Sequence, residues 1–131
     1  MTILLDTNVI IHLRDGDHWV TARVGALTDA ALMSIVSRVE LGGGVYRNPA
    51  VARLRRARLD AILEAIPAVA FDAATADAFR SIVEAAGYSR RKLLDRTIAA
   101  QALVHRATLV TMNGDDYSDI PGLTLLAWSA D

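Results

Sequence analysis

The chain contains no cysteine, and this absence narrows its chemistry at once. Disulfide bonds, zinc sites with thiolate ligands, iron–sulfur clusters and cysteine nucleophiles are all excluded. The sequence also lacks any apolar run near the ~18 residues that a membrane-spanning helix needs. Its first six residues carry no basic segment and end on an acid. We therefore expect no secretory signal, no membrane association and a cytoplasmic location.

Lysine and glutamate are scarce. Lys92 is the only lysine among 14 basic residues, and all but three of the 15 acidic residues are aspartate. The formal net charge is −1, so bulk electrostatics does not indicate a nucleic-acid-binding protein. The arginines nevertheless carry planar guanidinium groups, which suit phosphate oxygens.

The chain also lacks repeats and linkers rich in proline or glycine. Hydrophobic residues make up 53% of its 131 residues, which excludes a disordered chain. Continuous apolar segments at residues 2–5, 31–36, 68–71, 108–111 and 123–126 predict strands, and helical patterns separate them. Strands of this kind, alternating with helices, indicate a parallel central sheet covered on both faces. We predict a single α/β/α domain spanning the whole chain.

Several local signals predict where helices begin and end. Ser37 and Glu40 have the spacing of a capping box, which predicts a helix start, and the glycines at 42–44 predict that this helix ends early. Asn48, followed by a proline, predicts the start of the next helix. Asp72 is expected to cap the helix after that.

Four acidic positions are predicted to lie at one edge of the sheet. Asp6 directly follows the first strand, and Asp115 and Asp116 follow the strand at 108–111. Glu40 and Asp95 are placed in the first turns of helices, which begin at the same edge if the crossovers are right-handed. Taken singly, capping, helix-start and turn preferences explain every one of these acids except Asp6, which needs a partner where a buried strand ends.

Together the carboxylates need another explanation. Four carboxylates that converge on one edge repel one another and resist ionisation. Lys92 is the only lysine near them in sequence that could offset their charge. A hard cation such as Mg²⁺ or Mn²⁺, which prefers oxygen ligands, resolves the conflict.

Four segments resemble, in order, the motifs of PIN-domain ribonucleases. They are LDTN at residues 5–8, SRVEL at 37–41, LDRTIAA at 94–100 and TMNGDDY at 111–117. The end of the chain, including Trp128, is also similar to the VapC toxins of bacterial toxin–antitoxin modules. The resemblance covers nearly the whole chain and implies a PIN-like fold.

The resemblance implies a Mg²⁺- or Mn²⁺-dependent endoribonuclease that arrests translation by hydrolysing RNA. By that family pattern, Asp6, Glu40, Asp95 and Asp116 are catalytic and hold the metal, with the adjacent Asp115 as an alternative for the last acid. Groups expected to orient these carboxylates and water are Thr7, Asn8, Ser37, Thr111, Asn113 and Asp115.

The resemblance also implies partners: an RNA substrate, a VapB-type antitoxin protein and a second copy of the chain in a homodimer. Arg14, Arg90, Arg91 and Lys92 are candidates to contact the RNA backbone. A second basic run at residues 53–58 could also serve, although either run could equally be a solvated surface.

Two other functions compete with the nuclease. A haloacid-dehalogenase-like phosphatase also has an aspartate after its first strand. It needs a second acid two residues later, where this chain has Asn8, and a lysine, for which Lys92 is the only candidate. The second competitor is an inactive domain that only binds RNA or a partner. Loss of an acid would mark it, and all four acids are present.

Overall fold

The structure, a computed structural model, describes residues 1–129. One sheet of five parallel strands lies at its centre, in the order β3-β2-β1-β4-β5. The strands are β1 (Thr2–Leu5), β2 (Ala30–Ser34), β3 (Ala68–Val69), β4 (Thr108–Thr111) and β5 (Leu125–Ala127). The parallel sheet predicted from continuous apolar segments is therefore confirmed.

Six helices flank this sheet. They are α1 (Thr7–Arg14), α2 (His18–Ala26), α3 (Ile35–Val45), α4 (Ala52–Ala65), α5 (Ala73–Ala86) and α6 (Leu93–Val104), with single 3₁₀ turns at Pro49–Val51 and Gly114–Tyr117. None of the helices within residues 1–129 has the length and hydropathy of a membrane span.

The central strand β1 separates two hydrophobic cores. Ile3 and Leu5 pack into a core with α1, α3 and α4, whereas Leu4 packs on the opposite face with α5 and α6. Successive strand residues point to opposite faces, and all three side chains are essentially fully buried. Burial of each one stabilises the fold by about 1.5–3 kcal/mol. The three-layer α/β/α architecture is thus confirmed.

Helix α3 differs from the prediction at both ends. Its N-cap is Ser34, whose hydroxyl accepts a 3.0 Å hydrogen bond from Val36 N, so the capping box predicted at Ser37 is wrong. The three glycines do not end the helix, which continues to Val45. Leu41 and Val45 are buried on either side of them. This burial outweighs the helix propensity lost at each glycine, about 1 kcal/mol.

Smaller differences occur elsewhere. Strand β3 has two residues rather than the four predicted at 68–71. Phe71, the last residue of that predicted strand, is 50% exposed because β3 ends before it. The predicted N-cap at Asp72 is confirmed, since its side chain accepts a hydrogen bond from Thr75 N.

Candidate active site

Asp6 lies where β1 passes into α1, at the carboxyl edge of the sheet. Its carboxylate caps α1 by accepting a 2.8 Å hydrogen bond from Thr7 N. The second oxygen accepts a 2.7 Å hydrogen bond from the hydroxyl of Thr111, the last residue of the adjacent strand β4. Asp6 is only 4% exposed. The ends of two neighbouring parallel strands therefore fix this carboxylate.

Thr111 is itself held in place. Its hydroxyl oxygen accepts a 3.0 Å hydrogen bond from the backbone N–H of Asn113 and donates its proton to Asp6. The role predicted for Thr111, orienting a carboxylate, is consistent with this geometry. Asn113 contributes through its backbone, while its side chain is exposed.

Glu40 reaches the same edge from α3. The hydroxyl of Thr7 donates a 3.0 Å hydrogen bond to Glu40 Oε1, and it lies 2.7 Å from the hydroxyl of Ser37. Ser37 is fully buried one turn before Glu40. Ser37 therefore joins the network that orients Glu40, even though it does not cap the helix.

Asp95 projects from the first turn of α6 and is partly buried. The phenol of Tyr117 donates a long, 3.5 Å hydrogen bond to Asp95 Oδ1. Tyr117 is 2% exposed, and burial together with Asp6 and Asp95 raises its pKa above the ordinary value. It therefore stays protonated and donates. The sequence analysis did not single out this residue, although an aromatic position directly after Asp116 was the available signal.

The carboxylates act on one another electrostatically. Burial raises the pKa of Asp6 above its ordinary value, although hydrogen bonds from Thr111 and Thr7 oppose the shift. Burial, followed by the charges of Asp6 and Asp116, raises the pKa of Asp95 to about 6. The charge of Asp116, and not that of its neighbour Asp115, contributes to both shifts, as the third-largest cause for Asp95 and the smallest named cause for Asp6. The electrostatics thus favours Asp116 as the fourth acid.

The acids share a region without forming a closed cluster. Asp6, Glu40 and Asp95 line one cleft of about 390 Å³, together with Asn8. Asp116 is exposed and lines a neighbouring cleft of about 440 Å³. Within residues 1–129, no three histidine, aspartate or glutamate side chains stand close enough to form a complete cation-binding group. The convergence predicted for four carboxylates is therefore looser than expected, since like charges repel and Glu40 is held by Thr7.

The four basic residues predicted to contact RNA occupy different places in the structure. Arg14 lines the acidic cleft, but it is only 4% exposed. Arg90 and Arg91 are exposed and are not among the residues that line this cleft. Lys92 Nζ lies 3.6 Å from Asp119, so its charge is already partly compensated.

Two arginines besides Arg14 line the cleft, one of them from the basic run at residues 53–58 and the other outside every predicted site. They are Arg47, between α3 and the following 3₁₀ turn, and Arg55 on α4. No local pattern distinguishes them, because their place depends on how α4 packs against α1 and α3.

The whole arrangement is that of an α/β domain with acidic side chains gathered at the carboxyl edge of a parallel sheet. The sequence matches the PIN domain family over residues 3–123, and the chain belongs to that family. No match is found among curated protein sequences.

Solved structures of VapBC and FitAcB proteins share this fold. VapBC2 from Rickettsia felis, bound to a promoter DNA fragment, gives a TM-score of 0.84 at 23% identity, covering 98% of this chain and 100% of that one. DNA-bound VapBC from Salmonella typhimurium gives 0.81 at 20% identity, with 98% of each chain covered. FitAcB from Neisseria gonorrhoeae gives 0.76 at 26% identity, with 96% of each covered.

Proposed function

We propose that this protein is a metal-dependent endoribonuclease of the VapC toxin type. The observation that carries the proposal is the pair Asp6 and Asp95, held in one cleft at the carboxyl edge of a PIN fold. Burial is the largest cause that raises the pKa of both carboxyls, and nearby carboxylates add to it: Asp116 for Asp6, and Asp6 with Asp116 for Asp95. Titratable groups shifted by burial and like charge in a cleft are typical of active sites.

The donor chemistry of the cleft fits a hard divalent cation. Asp6, Glu40 and Asp95, with Asp116 nearby, supply oxygen atoms only, which suits Mg²⁺ or Mn²⁺. A cation beside them also relieves the repulsion that raises the pKa of Asp95. When bound, such a cation supplies Lewis acidity, which activates water and neutralises negative charge on a phosphate.

The protein's own residues prepare this site. Thr111 holds Asp6, Thr7 holds Glu40, and Tyr117 donates to Asp95, so each carboxylate has a partner that limits its rotation. In the proposed reaction, water adds to the RNA phosphorus and the bond from phosphorus to the 3′ oxygen breaks. That oxygen takes up a proton, leaving 3′-hydroxyl and 5′-phosphate ends.

We also propose that an antitoxin protein binds this chain and that the chain forms a homodimer. Support for the protein partner comes from the similar solved structures, which are those of VapBC and FitAcB. A phosphatase of the haloacid dehalogenase type is disfavoured, because Asn8 stands where that family needs its second acid.

The test is cleavage of a labelled total-RNA pool by the purified protein with Mg²⁺, with Mn²⁺ and with EDTA, alongside Asp6→Asn. We expect discrete cuts that disappear in EDTA and in the variant. Intact RNA under every condition, with a folded protein, would refute the nuclease. Hydrolysis of p-nitrophenyl phosphate would then point to a phosphatase.

A further inference from the structure

The acidic cleft has a basic side. Arg14, Arg47 and Arg55 line the same 390 Å³ space as Asp6 and Asp95. The three arginines come from the end of α1, the segment after α3, and α4. Residues so far apart in sequence meet only through the tertiary fold.

Arg14 is an unusual member of this group because it is charged and only 4% exposed. Its Nε donates a 3.1 Å hydrogen bond to Asp15, and its two Nη groups donate none to other residues within 1–129. Gly44 makes room for it, since a Cβ built there would lie 3.2 Å from Arg14 Nη1. A buried guanidinium with free donors beside a cleft is poised to bind an anion.

Contacts with Gly44 and Asp15 hold the side chain of Arg55 at the cleft, near Arg14. Its Nη1 donates a 3.3 Å hydrogen bond to the carbonyl of Gly44 near the end of α3, and its Nε lies 3.8 Å from Asp15. Arg47 is exposed and makes no ion pair with any residue among 1–129. Asp15, the one acid in the described part of the chain that pairs with this group, offsets only part of three positive charges.

We propose that Arg14, Arg47 and Arg55 bind a phosphate of the RNA backbone next to the one that is cleaved. The inference rests on the proposed nuclease function and names the residues that position its substrate. The carboxylates of the cleft repel an incoming polyanion, and a basic wall in the same space counters that repulsion. Planar guanidinium groups match phosphate oxygens through paired hydrogen bonds. The surface run at Arg90 and Arg91 lies outside the cleft.

Binding of a labelled single-stranded RNA, measured by fluorescence anisotropy in EDTA over a range of KCl concentrations, tests this subsite without cleavage. We expect Arg47→Ala and Arg55→Ala each to raise Kd about tenfold. The double variant, Arg47→Ala with Arg55→Ala, is expected to reduce the slope of log K against log salt by about 0.7, the value for one phosphate contact on a single strand. Arg80→Ala removes an exposed arginine on α5 that does not line the cleft, and this control leaves both values unchanged.

Arg14 is too buried for a simple truncation, so Gly44→Ala tests it indirectly. The added methyl group displaces its guanidinium by a few tenths of an ångström, and we expect Kd to rise by about threefold. Gly42→Ala is the control, because its Cβ would meet nothing within 4 Å. In the cleavage assay with Mg²⁺, the Arg47 and Arg55 variants should raise KM far more than they lower kcat.

The outcomes separate this inference from the proposed function. Wild-type protein that cleaves no RNA refutes the function, whereas loss of RNA binding confined to the Arg47 and Arg55 variants still supports the subsite. A double variant, Arg47→Ala with Arg55→Ala, that keeps the wild-type Tm, Kd and salt slope overturns the inference. The inference also fails if only Arg90→Ala with Arg91→Ala weakens binding.

Discussion

Two aspartates stand at helix N-termini, and their surroundings differ sharply. Asp72 caps α5, where it accepts hydrogen bonds from Thr75 N and from the Thr75 hydroxyl at 2.9 and 2.7 Å. These bonds lower the pKa of Asp72 below its ordinary value. Asp95 lies in the first turn of α6, where burial and the nearby charges of Asp6 and Asp116 raise its pKa to about 6.

The positive end of a helix favours a carboxylate in both places, so the helix does not explain the difference in pKa. The groups that surround each aspartate explain it. Asp72 is surrounded by solvent and donors, and its ionised form stabilises the fold. The ionised form of Asp95 is partly desolvated and faces other carboxylates, so it costs stability. A carboxylate kept where it destabilises the fold indicates that function, and not folding, requires it.

The largest expected effect is on cleavage. We predict that Asp95→Asn lowers kcat/KM for RNA cleavage by about 10²-fold or more, because it removes a negative charge from the site that is proposed to hold the cation. Asp72→Asn is the matched control. It keeps a capping side chain at a helix N-terminus, and its activity should equal that of the wild type. Equal losses in the two variants would show that the contrast between the aspartates has no catalytic meaning.

The second prediction is that the same substitution, which lowers activity, makes the fold more stable. In EDTA at pH 7, Asp95→Asn should raise the free energy of unfolding by about 1–2 kcal/mol, after allowance for partial solvent screening. Urea unfolding of the two proteins measures this difference in the free energy of unfolding. Added Mg²⁺ should raise the Tm of the wild type and change that of the variant much less. A variant less stable than the wild type in EDTA would contradict the electrostatic account.

The pH dependence of this gain follows from the direction of the shift. The pKa of Asp95 is about 6 in the folded protein and 3.8 in the unfolded chain. The folded state therefore binds the proton more tightly, and the wild type gains stability as pH falls from about 6 to about 4. The advantage of Asp95→Asn in EDTA should shrink across that range. An advantage that stays constant from pH 7 to pH 4 would show that charge is not its source.

The sequence predicted the acids better than their surroundings, for a physical reason. Asp6 directly follows a buried strand, so its place at the sheet edge is set by adjacent residues. Ser37 was expected both to cap a helix and to orient a carboxylate. Its hydroxyl lies against Thr7, a contact that requires α1 and α3 to pack. Arg47 and Arg55 meet at the cleft only after α4 docks. Contacts between distant segments have no local pattern from which they can be read.

The smallest effect is expected at Asp72. Asp72→Ala removes the acceptor of both Thr75 hydrogen bonds and should lower the Tm by a few degrees, whereas Asp72→Asn keeps a cap and stays near the wild type. The pKa of Asp72 is lowered in the folded state, so the part of its stabilisation that depends on charge is present above pH 3.8 and is lost as pH falls through the lowered value. Thermal unfolding between pH 7 and pH 2 should therefore show the deficit of Asp72→Ala narrowing in acid, while cleavage at pH 7 is unchanged. A deficit of the same size at both ends of that range would mean that Asp72 stabilises α5 without its charge. The charge of Asp95 would then affect the stability of the fold, whereas that of Asp72 would not.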